Sequence, residues 1–363
     1  MKLPQPRKII AEKYVAGLSL FKSRRSPIKL SANESALGPS PKAVKSYSSV
    51  GKGFVRYPDS DGTYFRKVLA KKFKLKRDRI ILGSGSDQIF ELVCKLFLNK
   101  GDEVVVPEYS FIIYRIYSRM FGAKVRYAKE ENFVASVDSI MNCVNKKTKI
   151  VFLANPNNPT GTYLNKNDVL NLRKKLRSDI LLVIDDAYYE YINDPNYSSG
   201  IDLFSKSKNV IVTRTFSKIF GLGGLRVGWG YGARDITDVL NSVRSPFNVS
   251  SLGLKMAELS IADVKFVNEQ RELNRVNREA LRNKLLGLGL KIDQSFANFL
   301  LLRFLSEEQA NTIDLFLKGK GFILRKVGSY GLPKCLRLSI GSKEICEKLY
   351  LTLAEYFEKN ERV

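Results

Sequence analysis

Residues 149–161 read KIVFLANPNNPTG, an apolar run that ends abruptly in a turn rich in asparagine and proline. Two later runs end in the same way: ILLVI stops at Asp185, and NVIVTRT leads to Lys218. RIILG near residue 81 and EVVVP near residue 105 extend the pattern toward the N-terminus. Short continuous apolar runs between polar turns are typical of parallel strands that are buried on both faces of a sheet.

Amphipathic helical stretches separate these five runs between about Lys67 and Val227. Strands that alternate with helices predict βαβ units, and therefore an α/β fold with a mostly parallel central sheet flanked by helices. In such sheets, ligands bind beyond the carboxyl ends of the strands. The residues that directly follow each run are therefore the first candidates for a functional site.

The alternation of short apolar runs with helical stretches ends after about Phe247. A polar stretch with apolar residues at helical spacing, residues 254–286, predicts a single long helix between domains. Beyond it, FANFLLLRF, FILRKV and CLRLSI indicate strands of a smaller α+β domain. A chain of 363 residues exceeds what a single core usually organises. We therefore predict an N-terminal arm at 1–45 that packs on the small domain, a large domain at 46–262 and a small C-terminal domain at 263–363.

The chain contains no histidine, and this count excludes several classes of enzyme. His-ligated zinc sites, Ser-His-Asp triads and Cys-His pairs all need an imidazole. The four cysteines are scattered without a CxxC pair, which is typical of neither a metal cluster nor a disulfide framework. We therefore predict no metal site.

Lysine and arginine number 61 against 36 aspartate and glutamate residues, for a formal net charge of +25. Such a charge suggests a nucleic-acid partner, but the basic residues are spread along the whole chain without a nucleic-acid-binding motif, and the same field attracts small anionic substrates. The first residues, MKLPQPRKII, lack the apolar run of a signal peptide, and no stretch reaches the roughly 18 apolar residues of a membrane helix. We predict a cytoplasmic protein with small-molecule substrates and with neither nucleic-acid nor membrane partners.

The turn after RIIL, residues 83–87, reads GSGSD and opens a helical stretch. Free N–H groups at a helix N-terminus suit a phosphate group, although an ordinary capped turn fits this sequence as well. After EVVVP comes Tyr109, which either packs in the core or offers a flat surface on which a ring can stack.

The other three strand ends carry more reactive groups. The constrained NPNNPTG turn leaves Asn158 as a hydrogen-bond donor. Asp185 places a carboxylate at a strand end, where its alternative role is a helix N-cap, and Tyr188 follows three residues later. Lys218 is a candidate for a lowered pKa and imine formation, and a glycine-rich stretch leads on to Arg226. A phosphate cradle, an aromatic ring, a carboxylate, a phenol and an imine-forming lysine are together the parts of a pyridoxal phosphate site.

These residues also match the motifs of a known protein family. The chain resembles the fold-type I aminotransferases that use pyridoxal 5'-phosphate (PLP), and specifically the histidinol-phosphate aminotransferase family. This resemblance implies a large PLP-binding domain and a smaller α+β domain. It spans nearly the whole chain, through motifs in family order: SANESALGPSP from Ser31, RYPD from Arg56, GSGSD from Gly83, NPNNPTG from Asn155, DDAY from Asp185, TFSKIFGLGGLRVGW from Thr215, RSPFNVS from Arg244, ANFLLLRF from Ala297 and LRLSIG from Leu336.

The resemblance implies roles for the residues around the cofactor ring. Lys218 would hold the cofactor and move the proton at the substrate's Cα. Asp185 would pair with the pyridine nitrogen, because a nearby anion favours the protonated ring. Asn158 and Tyr188 would hydrogen-bond the ring oxygen, and Tyr109 would stack on the ring face.

It also implies contacts to the anionic groups. Tyr57 would reach the cofactor phosphate from the neighbouring subunit, which implies a homodimer with shared active sites. Arg337 would grip the carboxylate of glutamate through a bidentate pair. Arg325, Tyr14 and Asn33 would help to hold the phosphate of the substrate. Within the subunit, six residues would bind the cofactor phosphate: Gly85, Ser86, Asp87, Thr215, Ser217 and Arg226.

The activity implied by the resemblance is transamination between L-histidinol phosphate plus 2-oxoglutarate and imidazole-acetol phosphate plus L-glutamate, a step of histidine biosynthesis. Two alternatives use the same electron sink: an aromatic amino-acid aminotransferase, and a PLP-dependent decarboxylase of a phosphorylated amino acid such as phosphothreonine. A third alternative is a basic nucleic-acid-binding protein that merely keeps the fold. The presence of Lys218, Asp185 and Arg226 argues against it.

Overall fold

The computed structural model describes residues 14–18, 27–47, 53 and 55–359. Its strands are β1 (Ile28–Lys29), β2 (Ile80–Gly83), β3 (Glu103–Pro107), β4 (Lys124–Ala128), β5 (Glu130–Glu131), β6 (Val134–Ala135), β7 (Thr148–Ala154), β8 (Leu181–Asp185), β9 (Val210–Thr215), β10 (Gly228–Tyr231), β11 (Lys291–Ile292), β12 (Phe299–Arg303), β13 (Phe322–Ile323), β14 (Arg325–Lys326) and β15 (Cys335–Ser339). Its helices are α1 (Pro41–Lys45), α2 (Thr63–Phe73), α3 (Ser86–Phe97), α4 (Ile112–Met120), α5 (Val137–Cys143), α6 (Lys166–Lys175), α7 (Gly200–Phe204), α8 (Arg234–Val243), α9 (Ser251–Ala262), α10 (Val264–Leu286), α11 (Glu307–Gly319) and α12 (Lys343–Lys359).

A seven-stranded sheet in the order β2-β10-β9-β8-β7-β3-β4 forms the centre of the molecule. Neighbouring strands from β9 to β4 are parallel, and β10 alone runs antiparallel to its neighbours β9 and β2. The five apolar runs identified in the sequence are all strands of this sheet. The predicted α/β class with a mostly parallel sheet is confirmed.

The five strands predicted from the sequence are apolar on both faces because each face of the sheet packs against its own core. Along β3, Val105 belongs to one apolar cluster, together with Val151 of β7. Val104 and Val106 belong to the other, together with Phe152. Successive side chains of a strand point to opposite faces, so burial of both faces requires a continuous apolar run.

Two strands of the sheet lack the apolar run that marks the others. β10 reads GWGY, and glycine is normally depleted in strands. In this sheet, glycine allows a close approach, since a Cβ at Gly228 would lie 2.3 Å from the backbone nitrogen of Ser86. β4 is an edge strand whose side chains are mostly exposed, so its sequence, KVRYA, is polar.

A smaller, four-stranded sheet in the order β11-β12-β15-β14 is antiparallel throughout. Four of its leucines pack with those of α10, α11 and α12 in a third apolar cluster, which also includes Leu30: Leu300, Leu302, Leu336 and Leu338. β1 pairs in parallel with β13, so residues 28–30 are attached to this part of the molecule. Residues 1–13 and 19–26 of the predicted arm, and residues 360–363, lie outside the described residues.

The single long helix predicted over residues 254–286 is wrong, because the structure contains two helices, α9 and α10, on either side of Asp263. The backbone of Asp263 has a ψ of 67° and leaves the helical region. Its carboxylate accepts a hydrogen bond from Ser40 Oγ at 2.6 Å and pairs with Lys42 Nζ at 3.2 Å. Helical spacing continues on both sides of this residue, so the sequence pattern does not reveal the break.

Among the described residues, no helix has the length and apolar character needed to cross a membrane. The four cysteines are free thiols. Within the described ranges, histidine, cysteine, aspartate and glutamate side chains form no group of three or more that could hold a metal ion.

Candidate active site

The carboxyl ends of β2, β7, β8 and β9 open onto a cavity of about 270 Å³. The fold thereby collects side chains from distant parts of the sequence at one edge of the sheet. Gly85, Tyr109 and Tyr57 are the three predicted site residues outside the cavity lining. The others line it: Tyr14, Asn33, Ser86, Asp87, Asn158, Asp185, Tyr188, Thr215, Ser217, Lys218, Arg226, Arg325 and Arg337.

Asp185 ends β8 and is buried, with 6% of its surface exposed. The hydroxyl of Tyr114 donates to its Oδ2 over 2.7 Å. The hydroxyl of Thr213 and the backbone N–H of Ala187 donate to Oδ1 over 3.3 and 3.2 Å. Burial raises the pKa of Asp185 to about 6, and these hydrogen bonds oppose the rise. The carboxyl group is therefore mostly ionised at neutral pH.

Lys218 lies three residues beyond the end of β9. Its Nζ donates a hydrogen bond to the backbone oxygen of Ala32 over 3.3 Å and lies 5.7 Å from the ring centroid of Tyr188. Desolvation by the cavity walls and, second, the charge of Arg337 lower the pKa of Lys218 to about 8. A neutral amine, as a nucleophile requires, is thus accessible near physiological pH.

An anion cradle lies at the N-terminus of α3. Gly85 precedes the helix with a φ of 79°, and a Cβ there would lie 2.2 Å from Nη2 of Arg226. Arg226, itself left-handed with a φ of 55°, donates to Asp87 Oδ2 at 3.0 Å and to Ser217 Oγ at 3.2 Å. Thr215 Oγ1 accepts a hydrogen bond from the backbone N–H of Ser217. A helix N-terminus, a guanidinium and hydroxyl groups converge here, and this set of groups suits a phosphate.

Two arginines of the small sheet line the same cavity. Arg337 donates through Nη1 to Asn158 Oδ1 and through Nη2 to the backbone oxygen of Ser31 at 2.9 Å. Its Nε is buried without a hydrogen-bond partner among the described residues. Arg325 is also buried and donates to the backbone oxygen of Val15 at 2.6 Å. The cavity therefore holds two guanidinium groups in addition to that of Arg226.

The short segment 31–33 contacts three residues of the site. Its first two backbone oxygens accept the hydrogen bonds from Arg337 and Lys218 described above. The side-chain Nδ2 of Asn33 donates to the hydroxyl of Tyr188 over 2.9 Å. Burial raises the pKa of Tyr188 to about 12, so the phenol stays protonated. The predicted substrate contact Asn33 thus also positions a predicted cofactor contact.

Phe111 lines the cavity and Tyr109 does not, so the stacking of Tyr109 on the cofactor ring stays a prediction. Tyr109 packs against Phe133, with ring centroids 5.5 Å apart, and its backbone N–H donates to Glu130 Oε1. Phe111, the residue before α4, lines the cavity instead. Both aromatic residues follow the same strand, and the sequence of a turn does not reveal which side chain faces the strand ends.

Tyr57 is 82% exposed and stacks on Phe247, with ring centroids 4.6 Å apart. The two rings line a surface groove that Arg226 also lines. The predicted contact of Tyr57 with the cofactor of a neighbouring subunit involves a second chain and stays a prediction.

Several residues at the site were not identified from the sequence. Lys29 lines the cavity and forms an ion pair with Glu34 at 2.8 Å. Phe111 and Tyr330 also line it. Tyr114 contacts Asp185 from outside the cavity. The one feature of the sequence that could have indicated Tyr114 is its helical spacing from Phe111, which places the two residues on the same side of the helix start.

The residues of the cavity fit a flat ring that carries a phosphate and a pyridine nitrogen. Gly85 leaves open the space beside Arg226 that a Cβ would fill. Phe111 offers an aromatic surface, Asp185 a buried carboxylate, and Lys218 an amine with a lowered pKa. These are the groups through which a protein binds and tunes PLP.

Comparison with known proteins gives the family from sequence and the fold from a solved structure. The model of the family "Aminotransferase class I and II" matches residues 25–352. The chain is 45% identical over 359 residues to the histidinol-phosphate aminotransferase of Pelagibacter ubique (strain HTCC1062), covering 98% of this chain and 100% of that protein. It is 42% identical to the histidinol-phosphate aminotransferase of Dinoroseobacter shibae, covering 97% of each.

A solved structure, the histidinol-phosphate aminotransferase of Sinorhizobium meliloti in complex with pyridoxal-5'-phosphate, is similar with a TM-score of 0.87 at 24% identity. The match covers 92% of this chain and 91% of that chain. This likeness confirms the predicted fold class, fold-type I. The chain belongs to the class I and II aminotransferases and, within them, to the histidinol-phosphate aminotransferase family.

Proposed function

We propose that the chain is a PLP-dependent transaminase that interconverts L-histidinol phosphate plus 2-oxoglutarate and imidazole-acetol phosphate plus L-glutamate, in histidine biosynthesis. The observation that carries this proposal is one cavity that combines the amine of Lys218 and the carboxylate of Asp185 with the buried guanidinium groups of Arg325 and Arg337. The names of the relatives described above support the same activity.

Bound PLP supplies an electron sink that takes up the electron pair left when the substrate's Cα loses a proton. Asp185 would face the pyridine nitrogen, where its charge favours the protonated ring. Asn158 and Tyr188 would hydrogen-bond the ring oxygen. Phe111 would lie against the ring face, in the role first assigned to Tyr109.

Lys218 would hold the cofactor and, as a free amine, accept the proton from Cα and return it to the reacting carbon of the cofactor. A pKa of about 8 suits both directions of transfer, because the amine is neither strongly basic nor fully neutral near physiological pH. The hydrogen bond to the backbone oxygen of Ala32 orients this amine.

The cofactor's phosphate would bind at the start of α3, where the N-terminus of a helix of 12 residues carries partial positive charge. Arg226 would add a full positive charge, which the ion pair with Asp87 holds in place. Within the subunit, the phosphate contacts would be Gly85, Ser86, Asp87, Thr215, Ser217 and Arg226.

Arg337 and Arg325 would bind the anionic groups of the substrates. Among the described residues, the buried Nε of Arg337 has no acceptor. Buried N–H groups are normally paired, which supports a carboxylate ligand at this position. Arg325, with Tyr14 and Asn33, would contact the phosphate of the larger substrate.

We further infer the organisation of the chain: an arm at 1–45, a PLP-binding domain at 46–262 and a small domain at 263–363. The pairing of β1 with β13 supports the packing of the arm on the small domain. We infer a cytoplasmic homodimer with shared active sites. The exposed, stacked rings of Tyr57 and Phe247 beside Arg226 support a second subunit there.

The absorbance of the cofactor in the purified holoenzyme tests the proposal, titrated in parallel with L-histidinol phosphate, phenylalanine and phosphothreonine. Loss of the yellow colour at low concentrations of histidinol phosphate alone is the expected result. Equal conversion by phenylalanine would instead favour an aromatic amino-acid aminotransferase, and release of CO₂ from phosphothreonine a decarboxylase. Salt-dependent DNA binding without cofactor absorbance would overturn the assignment as an enzyme.

A further inference from the structure

Tyr114 makes the shortest of the three described hydrogen bonds to the Asp185 carboxylate. Its hydroxyl is 2.7 Å from Oδ2, whereas the donors from Ala187 and Thr213 are 3.2 and 3.3 Å from Oδ1. Tyr114 is completely buried and does not line the cavity. It is therefore placed to act on a ligand through Asp185 rather than by contact.

Aromatic packing fixes the direction of the Tyr114 ring. The ring stacks on Phe152 of β7, with centroids 4.7 Å apart and planes 3° from parallel. Phe90 and Phe111 meet it edge-on, at 5.1 and 5.7 Å. Rings in stacked and edge-to-face contact attract one another, so the hydroxyl is held toward Asp185 before any ligand binds.

The proton of the Tyr114–Asp185 hydrogen bond lies on the phenol oxygen of Tyr114. Burial alone favours the neutral form of Asp185, and the hydrogen bond from Tyr114 opposes this effect. Burial and the neighbouring charge of Asp185 raise the pKa of Tyr114 well above its usual range. The proton thus stays on the phenol, and the negative charge stays on the carboxylate.

We propose that Tyr114 is a positioning residue of the cofactor site, whose hydroxyl keeps Asp185 charged and aims its carboxylate at the pyridine nitrogen. This inference rests on the proposed function, because it requires bound PLP. Two residues at the start of α4 would then act on the cofactor. Phe111 would face the ring, and Tyr114, three residues later, would hold the carboxylate of Asp185 in place.

The substitution Tyr114→Phe tests this role, since it removes the hydroxyl and keeps the ring. We expect the Kd for PLP to rise about tenfold, the size expected when a hydrogen bond to a charged group is lost. We also expect the pH at which the cofactor absorbance titrates to move. Tyr231→Phe is the matched control, because Tyr231 is a buried tyrosine of β10, between β2 and β9, and does not line the cavity. The Kd of the Tyr231→Phe variant for PLP should stay at the wild-type value.

A double-mutant cycle with Asp185→Asn separates this role from simple packing. In the Asp185→Asn background there is no charge to maintain, so the further change Tyr114→Phe should raise the Kd for PLP by less than about threefold. An equal rise in both backgrounds would assign Tyr114 to packing alone, and an unchanged Kd in Tyr114→Phe would also overturn the inference. Failure of the wild-type chain to bind PLP would instead overturn the proposed function.

Discussion

Arg325 lies directly opposite Arg337 across the antiparallel pair of β14 and β15. Residues paired in this way carry their side chains on the same face of the sheet. Both guanidinium groups line the same cavity, and both are held by backbone oxygens of the N-terminal segment. The small sheet therefore presents two cationic groups at a fixed separation to substrates that carry a carboxylate or a phosphate.

Arg325→Met should impair recognition of the phosphorylated substrate selectively. The loss of a charge-assisted hydrogen bond predicts a rise of about 10- to 100-fold in the KM for histidinol phosphate, with a much smaller change for glutamate. Lys326→Met is the control, because Lys326 is the exposed neighbour in β14. Steady-state kinetics of both half-reactions measure the effect. Equal rises for the two substrates would remove Arg325 from phosphate recognition.

Lys218→Ala should reduce turnover by at least about 10³-fold, since both attachment of the cofactor and proton transfer at Cα lose their amine. The fold should persist, because the described contacts of Lys218 are one hydrogen bond to a backbone oxygen and the approach to the ring of Tyr188. Turnover and circular dichroism of the same preparation check the two statements. Near-normal activity would assign the proton transfer to another group.

Lys218 should also make the stability of the cofactor-free protein depend on pH. Its folded-state pKa of about 8 lies below the unfolded value of about 10.4. Between these values the unfolded chain binds more protons, so the stability of the wild type rises with pH relative to Lys218→Met. The gain should be at most on the order of 3 kcal/mol. Denaturant unfolding at pH 7 and pH 10 measures it, and a constant difference between the two proteins would show that the amine is fully hydrated.

Gly85→Ala should weaken PLP binding by at least about tenfold, the equivalent of one lost hydrogen bond to a charged group. The new Cβ would lie 2.2 Å from Arg226 Nη2 and would displace this guanidinium from the cradle. Gly101→Ala is the matched control: Gly101 has a φ of 95° and open space where the Cβ would lie. Both variants should lose on the order of 1–3 kcal/mol of stability through backbone strain, because φ values of 79° and 95° lie in a region that residues with a Cβ rarely adopt. Equal PLP affinities in the two variants would contradict the proposed cradle.

The strands that carry the site were predictable because burial on both faces leaves an unbroken apolar run. β10 was not predictable in this way, since its Gly228 is required by a close approach to Ser86 that exists only in the folded sheet. The break at Asp263 depends in the same manner on Ser40 and Lys42, more than 200 positions away in the sequence. Local pattern determines an element, but long-range contacts decide where it is interrupted.

The residues of the site likewise divide into those that local sequence indicates and those that only long-range contacts bring together. Asp185 and Lys218 stand immediately beyond strands, so their position in the sequence already indicates the ligand-binding edge of the sheet. The choice between Tyr109 and Phe111 depends on the course of a turn, which the sequence does not specify. Tyr114 lies 71 positions before Asp185, and only the packing of α4 against the sheet brings the two together.

The segment from Ser31 to Asn33 sets the spacing of its three contacts along the cavity. Two of its contacts use main-chain oxygens, to Arg337 and Lys218, so they do not depend on which side chains stand at positions 31 and 32. Deletion or insertion of one residue before Asn33 would shift all three contacts by about 3.3–3.6 Å. Positions 31 and 32 therefore tolerate a change of residue far better than a change of length.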